Sequence, residues 1–226
     1  MARPVESIMT SDSSVAASPI PANSAYASKL LRVAWMSIVL GLVVQGVVIA
    51  ITRTMPQSLA AELAGKFTWS VIVCTAVAIA SIASKALPPV VGAMGLLAAP
   101  LAIAAARTVQ KAVASGMSGS TATTVATATP APGAWELAIA KAVQYAVFGW
   151  LICRAQKKGT LAAHLAVSVP IGVVFALYLA WRTWTTTEPE ALKPLVIAAK
   201  SIGDATATIG CSVVLWAGVS LAAKKA

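Results

Sequence analysis

The chain has 226 residues, of which 58% are hydrophobic and only 11% charged, and its mean hydropathy is +0.83. Soluble globular domains carry roughly 25% charged residues, so this composition excludes an ordinary water-soluble domain. The formal net charge of +10 sits in short segments between apolar runs and forms no basic patch on a polar surface. Nucleic-acid binding is therefore not expected, and anionic headgroups are the natural counterpart of the positive charge.

Taken in chain order, residues 1–28 are rich in Ser, Ala and Pro, carry Arg3, Glu6 and Asp12, and lack an apolar core. They read as a disordered tail, neither a cleavable signal nor a mitochondrial presequence. Residues 29–226 read as one all-α domain, a polytopic transmembrane helix bundle. Six runs approach the length of about 20 apolar residues that crosses a bilayer: 30–52, 68–86, 89–106, 136–154, 161–182 and 195–217. The second and third are nearly continuous. Pro88 and Pro89 remove backbone donors and push the preceding residue out of helical geometry, which predicts a hairpin at Lys85–Pro89. An interfacial break is the rival reading there. Residues 112–134, mostly the Ser/Thr/Ala/Pro stretch from Ser115 to Gly133, are a low-complexity loop separating three spans from three. No repeat relates the two halves.

Short-loop Lys and Arg counts set orientation. An N-terminus inside gives Arg3, Lys29, Arg32, Lys85, Arg154, Lys157, Lys158, Lys224 and Lys225 on the cytoplasmic side. Arg53, Lys66, Arg107, Lys111, Arg182 and Lys193 then lie opposite. Both termini are thus expected in the cytoplasm. Trp69, Trp135, Trp181, Trp184 and Trp216 are expected at the membrane interfaces. The membrane itself, a bacterial inner membrane or a eukaryotic organelle membrane, is left open.

The polar residues inside the spans carry what functional signal there is. Asp204 is the only acid in the interior of the long apolar stretches, and Lys200 precedes it by one helical turn. Ionisable groups at membrane depth cost on the order of 2.5–3.5 kcal/mol each, so Asp204 marks the candidate ion- or proton-binding site, with Lys200 as its expected counter-charge unless that lysine snorkels to the headgroups. Ser201, Asp204, Thr208, Cys211 and Ser212 share one helical face, with a strip of small residues (Ala199, Gly203, Ala207, Gly210) beside it. Span four presents Lys141, Gln144, Tyr145 and Phe148 on one face; span one presents Ser37, Gly41 and Gln45; span two presents Ser70, Cys74, Ser81, Ser84 and Lys85. Span five presents His164, Ser168 and Gly172. Gln45, Gln144, Tyr145, His164, Ser201, Thr208 and Ser212 are the expected pathway-lining residues. Span three has no polar residue and reads as a close-packing or lipid-facing element.

Cys74, Cys153 and Cys211 show no CxxC spacing, and His164 is the only histidine. Neither a disulfide framework nor a metal site is expected, and no cofactor. No enzyme signature is present, and a single membrane acid excludes an aspartyl dyad within the chain. Two readings follow. One is a small transporter or pore that moves an ion or small solute past a buried carboxylate. The other is a non-catalytic scaffold or accessory subunit of a larger membrane complex. Both expect the bilayer as partner, together with a homo-oligomer or other membrane subunits; a subunit of an enzyme or energy-converting complex is a third.

Overall fold

The computed structural model describes residues 24–56, 58–83, 87–118, 134–186 and 194–220. Among these the chain is all helix: α1 (Ser24–Thr52), α2 (Leu59–Ala83), α3 (Pro88–Ser118), α4 (Ala134–Lys158), α5 (Leu161–Thr186) and α6 (Pro194–Leu215). A π-helical turn, Trp216–Ser220, continues α6. Five of the six helices are long and apolar enough to cross a membrane; α6, diluted by Lys200, Asp204 and four hydroxyl residues, is not in that set.

Local signals explain the ends. Ser58 caps α2, its Oγ accepting from the Ala61 amide at 3.4 Å, and Glu62 adds an acid to the first turn. Between α4 and α5 only Gly159 and Thr160 intervene. Gly159 takes φ +65°, a left-handed conformation suited to glycine, and Thr160 Oγ1 then accepts from the Ala163 amide to open α5. α4 ends on Lys157 and Lys158, the sign its dipole favours.

Two helices are longer than their apolar cores, with consequences for the site. α2 starts nine residues before the predicted span, so Trp69 lies inside the helix and packs against Tyr145 instead of standing at an interface. α3 runs on to Ser118, so residues 112–118 are helical where a loop was expected. The rest of that loop, the N-terminal tail to residue 23, and Ser84 to Ala86, which include Lys85 and Ala86 of the expected hairpin, lie outside the described residues. α2 and α3 nevertheless pack along each other as separate helices.

Each helix packs on its chain neighbours, and α6 closes back on α1, giving a six-helix ring. The ring is flattened, so α2 also touches α6 across its centre, where Cys74 Sγ and Cys211 Sγ lie 2.9 Å apart. Small residues set the tight seams. A Cβ on Gly95 would sit 2.1 Å from the Tyr145 carbonyl oxygen, and one on Gly149 would sit 2.6 Å from that of Val91, so α3 and α4 meet backbone to backbone. On α6 the small strip faces α1, with Gly203 against Val48 and Gly210 against Leu40. Inside the ring, Trp69, Tyr145 and Phe148 stack edge to face at 5.3 and 5.8 Å between centroids. Outside it, Trp35, Trp135, Trp181 and Leu177 are exposed apolar side chains of the kind that meet lipid.

The closure of the ring is testable through its thiols. A membrane-permeable azo oxidant such as diamide, accepting two electrons and two protons, should join Cys74 to Cys211, lowering the count of titratable thiols after denaturation from three to one. Cys74→Ser should leave the remaining thiols unjoined; an unchanged count in the wild type would refute the α2–α6 contact. Gly95→Val should destabilise the protein by about 1–3 kcal/mol through overpacking, seen as a lower melting temperature. Gly46→Ala, with open space around its new methyl, should not.

Candidate functional site

α4 and α6 run parallel with α5 between them, and their inner faces meet in the middle of the ring. Asp204 is the eleventh residue of α6, roughly 15 Å from its start at 1.5 Å per residue. Its Oδ1 lies 3.1 Å from Lys141 Nζ of α4. Lys141 also donates to Gln144 Oε1 at 3.2 Å. Gln144 Nε2 donates to Thr208 Oγ1 at 2.8 Å, and Thr208 donates to the Asp204 carbonyl at 3.1 Å. Four residues thus form a closed loop of bonds, completed through the Asp204 main chain. The i, i+3 step on α4 and the i, i+4 step on α6 bring both halves of the loop onto facing surfaces.

The cation that meets Asp204 is therefore Lys141 and not Lys200, which is exposed on the outer part of α6. Lys200 stands one turn nearer the start of α6, with its side chain in the open. Exposure is unequal within the pair. The Lys141 side chain is 7% exposed, whereas that of Asp204 is 32% exposed. A buried ammonium with two acceptors thus faces a carboxylate that reaches open space.

That space is a cavity of about 210 Å³ between α1, α2, α3, α4 and α6. Asp204 and Lys141 line its inner end; Glu62, Lys66, Arg107 and Gln110 join them from α2 and α3. None of these four stood among the expected site residues, because they lie beyond the apolar cores, on helix extensions; Lys66 and Arg107 entered only the orientation count. The signal that marks them is the capped start Ser58–Glu62 and the unbroken helix-forming run from Arg107 to Ala114. Gly65 permits the approach: the Gln110 side chain occupies the place where its Cβ would stand, 2.5 Å away.

The remaining expected residues scatter around this core. Gln144 and Thr208 belong to the bonded loop, and Tyr145 to the aromatic stack, its hydroxyl buried without a hydrogen bond of ordinary geometry. Ser201 donates to the Ile197 carbonyl of its own helix at 2.9 Å. Gln45 is buried on α1, outside the cavity lining. Ser212 and His164 pair near the other end, Ser212 Oγ donating to the His164 carbonyl at 3.0 Å. His164 Nδ1 lies 2.9 Å from the Thr160 carbonyl, which can only accept, so Nδ1 carries the proton of that bond. Its Nε2 is buried without a partner, as is Ser168 Oγ one turn on. No group of three or more metal-ligating side chains exists among the described residues. No family model, curated protein or solved structure matches the chain.

The unequal exposure of the pair predicts unequal costs. Asp204→Asn strands a buried ammonium and should destabilise by about 3 kcal/mol, whereas Lys141→Met leaves a carboxylate that the cavity can hydrate and should cost less. Combining them removes the stranded charge, so the double variant should be more stable than Asp204→Asn alone. Thermal or SDS-titrated unfolding in detergent measures all four proteins; strictly additive effects would refute the pairing.

Proposed function

We propose that this integral membrane protein is a small transporter in which the Lys141–Asp204 pair is the gate and the coupling group. The observation that carries this reading is an ion pair at the middle of α6, within a bundle of membrane-spanning helices, whose acid opens into a cavity between five helices. Ionisable side chains at that depth usually mark proton or substrate paths. Protonation of Asp204, or capture of its carboxylate by a passing cation, releases Lys141; the lysine keeps Gln144 as an acceptor, so the open state leaves it partly satisfied. The cavity lies in the half of the ring away from the start of α1. With the N-terminus inside, as the Lys and Arg distribution favours, it faces the non-cytoplasmic side. The aromatic stack of Trp69, Tyr145 and Phe148 bars the other direction.

The test is flux through purified protein in phosphatidylcholine vesicles loaded with a pH-reporting dye, under imposed proton, potassium, chloride or monocarboxylate gradients. Wild-type vesicles should relax at least one gradient faster than empty vesicles, with a rate that depends on pH. Asp204→Asn should remove that dependence, and Asp204→Glu should retain it, which guards against a merely misfolded variant. Vesicles as tight as protein-free ones under every gradient, with stoichiometric partner chains in the purified material, would overturn this reading in favour of an accessory subunit.

A further inference from the structure

We propose that the cavity above the Lys141–Asp204 pair is a binding site for a small amphiphilic monoanion, a short-chain carboxylate in its simplest form. This deepens the transport reading and rests on it for the movement of the ligand, although binding alone can be measured independently.

Charge comes first. Three cations and two carboxylates line the cavity. Lys141 and Asp204 neutralise each other at 3.1 Å. Lys66 and Arg107 then face Glu62 alone, a surplus of one positive charge. The ion pairs among the described residues are Lys141–Asp204 and Arg182–Glu136, so neither Lys66 nor Arg107 is held by a carboxylate. The two come from different helices, α2 and α3, held close by the seat of Gln110 over Gly65. One monoanion restores neutrality. The planar fork of Arg107 suits two oxygens of a carboxylate, and Lys66 supplies a point charge beside it.

The rest of the wall is apolar. Leu40 and Val44 of α1, Trp69 of α2, Ile103 of α3 and Leu137 of α4 surround the space. An inorganic anion would leave these side chains against water, whereas a short alkyl or aryl tail would bury against them. Size sets the upper limit. At about 210 Å³ the cavity falls below the ~300–1,000 Å³ of sites for drug-sized ligands. The tail is therefore a few carbons long. It lies toward Trp69, with the charged head at the rim between Lys66 and Arg107.

The experiment compares hexanoate, hexylammonium and hexanol by titration calorimetry on the full chain in phosphatidylcholine nanodiscs. Hexanol corrects for partition into the lipid. Hexanoate should bind saturably and hexylammonium should not. Lys66→Gln and Arg107→Gln should each weaken hexanoate by about tenfold, the value of a charged hydrogen bond, and Glu62→Gln should tighten it. All three replaced side chains reach the surface, so melting temperatures should stay near that of the wild type. A lipid phosphate carries the same chemistry as a free anion. Loss of hexanoate binding in phosphatidylglycerol nanodiscs would identify the headgroup as the occupant; undiminished binding would identify the free anion. Equal binding of hexylammonium, or full hexanoate affinity in the Lys66→Gln/Arg107→Gln double variant, would overturn the proposal. Proton flux without hexanoate binding would refute the anion site and leave the transport reading standing. Binding without any flux would do the reverse.

Discussion

The bonded loop of Asp204, Lys141, Gln144 and Thr208 is the constraint on which the interior of this protein turns. Two opposite charges at mid-helix depth are tolerable only when each is satisfied. Here the ammonium has two acceptors, and the carboxylate keeps part of its surface in a cavity. Burial of both groups would have exacted the full desolvation cost, which in dry interiors often exceeds the attraction. Placing the acid at the cavity wall reduces that cost while keeping the lysine where only this acid can neutralise it. The same geometry holds α4 and α6 in register from the inside, although α5 separates them in the ring.

α6 alone of the six helices falls short of a membrane-spanning apolar stretch, and the ring accounts for how it can lie there. Nearly every polar group along its inner face is met by another element. Asp204 and Thr208 meet α4, Cys211 meets Cys74 of α2, and Ser212 meets the His164 carbonyl of α5. Trp216 Nε1 reaches the Gly159 carbonyl in the α4–α5 turn at 3.2 Å. From Asp204 to Trp216 this is about one tie per helical turn over roughly 18 Å. The adjoining small-residue strip lets α1 approach closely. A helix of this composition would insert poorly alone, and its stability comes from the neighbours that satisfy it.

Much of this was legible in the residues, and the failures have physical causes. Helical periodicity placed Asp204 and Thr208 on one face and Lys141, Gln144 and Tyr145 on another, and it identified the small strip that meets α1. It could not show that the two polar faces oppose each other, because pairing across helices depends on the order of helices around the ring. Lys200 looked like the partner because i, i+4 neighbours on one helix can touch. Lys141 of α4 occupies the carboxylate, and Lys200 stands exposed on the outer part of α6, where its ammonium can be hydrated. Hydropathy also underestimated α2 and α3. Glu62, Lys66, Arg107 and Gln110 lower the apolar average but do not break a helix, so the apolar window closed before the helix did.

Those extensions are what give the molecule two unlike halves. On the side of the α2 start and the α3 end, helices project charged residues around a cavity, and tight glycine contacts keep them close enough to share it. On the other side the ring closes over Tyr145 and Phe148, with Cys74 and Cys211 sealing the centre between α2 and α6. The bonded loop lies at the junction of these halves. On the transport reading proposed above, a solute in the cavity would meet Trp69 and the half-open carboxylate of Asp204 together, and Tyr145 and Phe148 only beyond them. On that reading, further passage would require two events together: separation of Lys141 from Asp204, and displacement of Tyr145 from its place between Trp69 and Phe148. Gln144 couples them, since it bonds both Lys141 and Thr208 and is the residue next to Tyr145. On the same reading, a change in the charge of Asp204 would act on the aromatic barrier through one turn of α4, and not across the width of the bundle.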